Sequence, residues 1–188
     1  MPCSEPLRCD PQTHWLCWIT PDVPTPFPWR KYPAGVVTAF PRRVRWIFNR
    51  GGFLMSVACG AGDSLWLVAG TGGYGFLTSL ENITSRNRAG KVFLTLSAEE
   101  RPLPLVSVTD AHAELFCLSS DGHGLVFPVA EVKNLPRGRG VKLIALVGSA
   151  VLQFLSLLQE GHPLPRGLRK NRLESCRGHR GARGRTVR

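Results

Sequence analysis

The sequence predicts an all-β protein built from propeller-like blades. Three observations carry that prediction: short apolar runs separated by Gly, Asp and Asn turns, a repeat of about 50 residues, and a composition hostile to long helices. The chain has 188 residues, enough for one domain of ordinary size, and 43% of them are apolar against 20% charged, so it can bury a core. Its 20 Gly and 15 Pro break helices and favour turns.

Residues 1–50 hold nine of the 15 Pro and four of the five Trp with no sustained alternation. They fit no repeat unit and no regular fold is expected there. Beyond them, shifting the sequence by 50 lays Ser64–Leu96 on Glu114–Leu146 without a gap. Leu65 then meets Leu115, Gly72 meets Gly122, Glu81 meets Glu131, Gly90 meets Gly140 and Leu96 meets Leu146, and the apolar positions between them also coincide. Within the first copy, strands are expected at Leu65–Ala69, Phe76–Leu80 and Val92–Leu96, with a further run at Leu103–Val108. Residues 70–75 and 120–124 are expected to be hairpin turns, and Leu115–Ser119 to be the counterpart of Leu65–Ala69. Leu143–Leu158 carries no charge, but it is short for a membrane span and contains Ser149, Gln153 and Ser156, so a buried strand followed by a short core segment is expected. Glu174–Arg185 is a partial third copy. The domain reading is therefore an irregular segment at 1–50, blades over 51–165, and a basic tail or partial last blade at 166–188. Blades of this kind cannot bury their faces alone and need neighbours.

Charge points to the partner. Lys plus Arg number 24 against 13 Asp plus Glu, a net charge of +11, which favours a polyanion. Residues 166–188 carry nine Lys/Arg and one acid, so this short stretch accounts for +8 of that. Six Cys, at 3, 9, 17, 59, 117 and 176, form no CxxC pair, and no secretory signal precedes them, so a reducing cytoplasmic setting and no disulfide framework are expected. Cys9, His14 and Cys17 are too irregularly spaced to be read as a metal site.

Three catalytic patterns fail on their own terms. Gly70-Thr-Gly-Gly-Tyr-Gly75 spells GxGxxG after an apolar run, but its counterpart in the second copy, Ser120-Asp-Gly-His-Gly124, reads as a hairpin turn, and no helix of usable length follows Gly75. Ser120, Asp121 and His123 have the composition of a triad but lie within four residues of one turn, which prevents the relay geometry a triad needs. Glu99 and Glu100 are adjacent and read as a solvated turn. No catalytic or metal-binding residue is expected.

Basic loops recur instead. Arg86, Arg88 and Lys91 close the first copy, Lys133, Arg137, Arg139 and Lys142 close the second at the same place, and Arg177, Arg180, Arg183 and Arg185 populate the partial third. Each lies near Gly, which lets backbone amides and side chains approach a phosphate together. Stacked repeats would align these loops into a positive rim.

GGYGFLTSLENITSRNRAGKVFLTL, residues 72–96, resembles a blade in the C-terminal domain of the A subunit of bacterial DNA topoisomerase IV, where a GYGF turn precedes an RNRAGK loop. SSDGHGLVFPVAEVKNLPRGRGVKLI, residues 119–144, is similar to a following blade, and RGHRGARGR, residues 177–185, to the closing segment. The gyrase A subunit shares the architecture. The resemblance implies an incomplete β-pinwheel whose basic edge holds duplex DNA, within a cytoplasmic enzyme that changes DNA topology and serves chromosome segregation. It further implies association with the rest of a topoisomerase IV complex, no membrane partner, and no cofactor bound by this fragment, although the family holoenzyme uses ATP and Mg²⁺. The breakage-and-reunion region with the family's tyrosine is missing: Tyr74 belongs to the GYGF turn, and Tyr32 lacks the nucleophile context, so no activity is expected of the chain alone. Two alternatives stand beside this reading, a basic RNA-binding or ribosome-associated protein and an inactive product of a decayed gene.

Overall fold

The structure, a computed structural model, describes residues 14–21, 35–39, 52–85, 91–110, 112–158, 168 and 170–187. Among these residues the framework is three antiparallel sheets. The N-terminal sheet contains β1 (His14–Pro21), β2 (Gly35–Ala39) and β3 (Gly52–Gly60) in the order β2-β1-β3. β4 (Leu65–Ala69), β5 (Tyr74–Ser79), β6 (Val106–Val108) and β9 (Val141–Lys142) form the middle sheet, ordered β6-β4-β5-β9. β7 (Glu114–Ser119), β8 (His123–Pro128), β10 (Leu152–Leu157) and β11 (Arg185–Thr186) form the C-terminal sheet, ordered β10-β7-β8-β11. Among the described residues helix is limited to α1 (Leu80–Ile83), α2 (Lys170–Ser175) and a 3-10 turn at Val129–Glu131.

β4 reads LWLVA and β8 HGLVFP, apolar at successive positions rather than alternately. Such runs suit sheets that are covered on both faces, and both faces are covered here. One face of the middle sheet, with Leu67, Ala69 and Leu77, packs against Leu115, Cys117, Leu125 and Phe127 of the C-terminal sheet. Its other face, with Trp66, Val68 and Phe76, packs with Leu80, Ile83 and Phe93, and Ala58 of β3 joins this cluster. The far face of the C-terminal sheet, Phe116 and Val126, is covered by Leu173, Cys176 and Val187 from the tail.

Each of these two blades takes its fourth strand from later in the chain. β9 pairs with β5 through Tyr74↔Lys142 and Gly75↔Val141, and β11 pairs with β8 through His123↔Thr186 and Gly124↔Arg185. Ahead of β9 the Leu77 N–H donates to Lys133 O and the Leu135 N–H to Leu77 O; ahead of β11 the Val126 N–H donates to Cys176 O and the Gly178 N–H to Val126 O. The same closing segment is thus laid down twice, once by residues 133–142 and once by 176–187.

These pairings correct the repeat register. Leu65↔Ser79 in the first hairpin matches Glu114↔Pro128 in the second, and Ala69↔Gly75 matches Leu118↔Gly124, a shift of 49 rather than 50. A one-residue slip exchanges the two faces of a strand, and burial agrees with 49: Trp66 and Val68 then correspond to Leu115 and Cys117, each facing the preceding sheet. The turn glycines that correspond are Gly73 and Gly122, with φ of 79° and 81°, not Gly72 and Gly122. The shift returns to 50 by Phe93 and Leu143, which accept from the Gly138 and Gly181 amides respectively.

Other sequence expectations need correction. The segment before residue 51, expected to be irregular, contains β1 and β2, and β1 pairs with β3 from Pro21↔Gly52 to His14↔Gly60. Its hairpin has the blade register, with Ile19↔Gly35 and Trp15↔Ala39 standing as Ala69↔Gly75 and Leu65↔Ser79 do. Val92–Leu96 contributes a single parallel bridge, Leu94↔Gly138, instead of a strand. In Leu143–Leu158 the strand comes last, at Leu152–Leu157, while Leu143 and Ile144 are fully buried outside any strand. No helix among the described residues is long and apolar enough to cross a membrane.

Candidate nucleic-acid interface

Most of the predicted basic residues lie on the two closing segments, along the outer edges of β5 and β8. Lys133, Arg137 and Lys142 are exposed on the first, and Arg183 and Arg185 on the second. Among the described residues no carboxylate lies within ion-pairing distance of these five. Lys91 is exposed and its Nζ donates to Asn82 O at 2.6 Å. Arg86 and Arg88 lie outside the described residues.

The remaining arginines are engaged. Arg139 Nη2 donates to Glu100 Oε1 at 2.7 Å, and its guanidinium carbon lies 4.2 Å from the centre of the Tyr74 ring. Arg177 Nη1 donates to Glu114 Oε1 at 2.6 Å. Arg180 donates its backbone N–H to Glu131 Oε2 at 2.8 Å and its Nη1 to Lys142 O at 2.9 Å. Sequence reasoning missed this division because Glu100, Glu114 and Glu131 come from other segments, 39, 63 and 49 positions away from their partners.

The two segments are physically joined. Beside the Arg180 link to Lys142, the Gly181 N–H donates to Leu143 O at 2.8 Å and the Ala145 N–H to Ala182 O at 2.9 Å. Consecutive closing segments therefore form one basic ridge across two sheets. Cations fixed along such a ridge, on segments too short to enter a groove, suit a phosphate backbone rather than base edges.

The catalytic look-alikes resolve into structure. Gly70–Gly73 is a hairpin turn that leads into β5, antiparallel to β4, and α1 is only four residues long. In the second hairpin Ser119, not Ser120, binds Asp121: its Oγ donates to Asp121 Oδ1 and also accepts from the His123 N–H at 3.2 Å. His123 Nδ1 lies 2.9 Å from Asp121 Oδ2. The Ser119 hydroxyl and then His123 hold the Asp121 carboxyl below its usual range. Ser120 Oγ instead accepts from the Val151 N–H at 3.1 Å. No group of three or more His, Cys, Asp or Glu able to hold a metal ion occurs among the described residues.

A family model described as DNA gyrase C-terminal domain, beta-propeller matches residues 65–101 and 113–152. The A subunit of DNA topoisomerase 4 from Escherichia coli K12 is 30% identical over 139 residues, covering 67% of this chain and 18% of that protein. Its counterpart in Caulobacter vibrioides is 38% identical over 79 residues, 42% of this chain and 10% of that one. The chain thus spans less than a fifth of the length of these relatives. Among solved structures, the E. coli ParC C-terminal domain superposes with a TM-score of 0.77 at 22% identity, over 96% of this chain and 78% of that one. The C-terminal domain of DNA topoisomerase IV in a second crystal structure gives 0.72 at 14% identity, over 94% and 58%.

Proposed function

Because the chain belongs to the family of gyrase A and topoisomerase IV A C-terminal domains, β-propellers in fold, we propose that it holds a segment of duplex DNA along its basic ridge. In this reading it works as the DNA-gripping part of a type IIA topoisomerase in the cytoplasm, with the rest of that complex as its partner and chromosome segregation as the process served. The observation that carries the proposal is the recurrence of the closing segment: two consecutive copies place exposed cations on the same edge of consecutive sheets and hydrogen-bond to each other. A solvated charge run has no reason to repeat in this way, whereas a strand of phosphates repeats at a fixed interval.

The chain carries no chemical step in this proposal. Tyr74 starts β5 and lies under the Arg139 guanidinium, a packing role, and Tyr32 lies outside the described residues. Strand cleavage, ATP and Mg²⁺ belong to other parts of a holoenzyme.

Binding to a labelled mixed-sequence duplex, compared with single-stranded RNA, tests the reading. Duplex binding is expected to weaken by at least about tenfold when Arg137, Lys142, Arg183 and Arg185 are all replaced by Gln, since each lost phosphate contact removes part of the counterion-release term. Unchanged duplex affinity in that variant, or a preference for the RNA, would remove the proposal. The chain should neither cleave nor relax supercoiled DNA, with or without ATP and Mg²⁺.

A further inference from the structure

We propose that Tyr74, Arg139 and Glu100 form a positioning clamp for the first closing segment. Arg139 spends its charge within the chain, and the neighbouring Arg137 and Lys142 are thereby set to meet phosphates. The inference rests on the DNA-binding reading and assigns different roles to arginines that the sequence alone cannot tell apart.

Two sides of the Arg139 guanidinium are in use. Its face lies over the Tyr74 ring at 4.2 Å, and Nη2 reaches Glu100 Oε1 at 2.7 Å. Glu100 is a fixed anchor, because its side chain is only 14% exposed and its second carboxylate oxygen accepts from the Ser97 N–H at 2.9 Å. The turn carrying it is closed by the Glu100 N–H donating to Ser97 O at 3.1 Å. An exposed ion pair contributes little by itself, but a stacked guanidinium held by a largely buried carboxylate is restricted in both tilt and position.

Three segments distant in sequence meet at this point: the first hairpin, the connection after Leu96, and the closing segment supplied by the following copy. Directly after Arg139, Gly140 adopts φ of 83° and lies so close to Gly75 that a Cβ on it would fall 2.2 Å from Gly75 O. Arg139 is therefore fixed beside the tightest backbone contact of the closing segment, where small displacements would carry Arg137 and Lys142 with them.

The second closing segment lacks this device. His123 occupies the Tyr74 position and Arg183 that of Arg139, as the pairings of Gly124 with Arg185 and of Gly75 with Val141 require. His123 is turned to Asp121, and the segment is tied down through Arg177 to Glu114 and through the Arg180 amide to Glu131. The clamp thus distinguishes the middle sheet from the C-terminal one.

The test uses the 188-residue chain, a labelled mixed-sequence duplex and a series of salt concentrations. Glu100→Gln and Arg139→Ala should each weaken binding by about three- to tenfold, the scale of a stacking and ion-pair contribution. The slope of log K against log salt should stay at its original value in both, and the double variant should be no weaker than the weaker single one. Tyr74→Phe, which keeps the ring, should bind like the original. Arg137→Ala should make the slope shallower by about 0.9. Arg139→Lys guards against misfolding of the other variants: a clamp requires it to behave like Arg139→Ala, because Lys cannot stack and fork together. Near-original binding by Arg139→Lys, a slope lowered by about 0.9 in Arg139→Ala, or tighter binding by Glu100→Gln would each identify Arg139 as a phosphate contact and overturn the clamp. Absence of duplex binding by the original chain would instead defeat the DNA-binding reading itself.

Discussion

Gly75 and Gly124 sit inside strands, where glycine ordinarily costs stability and alanine would be the better residue. Here the next closing segment requires them. A Cβ at Gly75 would lie 2.6 Å from Val68 O and 2.8 Å from Leu143 Cδ1, and one at Gly124 would lie 2.5 Å from Val187 Cγ2. Gly75→Ala should therefore destabilise the chain by about 1–3 kcal/mol, as overpacking does, and a lowered urea midpoint at unchanged m would show it. The sequence marks Gly75 only as part of a turn motif, since nothing local reveals that Leu143 arrives beside it. Asp121 gives a second prediction. The Ser119 hydroxyl and His123 lower its folded pKa below the ordinary value of 3.8, so its contribution is present in full above the unfolded pKa and is lost as pH falls through the folded one. The Tm advantage of the original over Asp121→Asn should be constant near neutrality and shrink on acidification below pH 3.8. A constant difference down to strong acid would count against the Ser119–Asp121–His123 network.

Elements that depend on local pattern were legible in the sequence. Leu65–Ala69, a continuous apolar run ended by a Gly-rich turn, is β4 to the residue, and the hairpins at 70–75 and 120–124 follow from their glycines. Elements defined by distant partners were not. β9 and β11 are two residues each, and they exist because β5 and β8 present an open edge to them. The hairpin of β1 and β2 escaped recognition because residues 20–34 connect Ile19 to Gly35 where residues 70–74 connect Ala69 to Gly75, so an ungapped comparison cannot align the two. The basic ridge was legible as composition; its division into engaged and exposed cations was not, because the carboxylates come from elsewhere in the chain. The same dependence changes what the tail is. Residues 176–187 form the outer strand and cover of the C-terminal sheet, with Cys176 buried and Val187 packed on Phe116 and Val126. Removing residues 176–188 should uncover those two core residues and cost about 3–5 kcal/mol, the burial of two large apolar side chains. Urea denaturation of the truncated chain checks this, and an unchanged midpoint would mean that the tail is a passenger.

At the scale of the whole molecule the net charge of +11 would give nonspecific attraction to DNA in any arrangement, so affinity alone cannot distinguish a structured ridge from a diffuse cloud. The salt dependence can. Five cations, Lys133, Arg137, Lys142, Arg183 and Arg185, are exposed on the two joined closing segments without a carboxylate partner among the described residues. If they are the phosphate contacts, log K should fall against log salt with a slope of about −4 to −5, at roughly −0.9 per contact on duplex DNA. Sequence preference should be weak, because two-residue strands and glycine turns place no helix or ribbon in the major groove. Arg137→Ala and Arg183→Ala, one on each sheet, should lower the slope additively by about 0.9 each, because DNA lying along the ridge meets both at once. A diffuse binder would lose a similar small amount of affinity for any surface Lys or Arg removed, Lys91 included, and its slope would track net charge alone. Arg183→Ala measured against Arg172→Ala, an equal loss of charge on the short helix α2, separates the two. Equal slopes in these two variants would leave the ridge without a role.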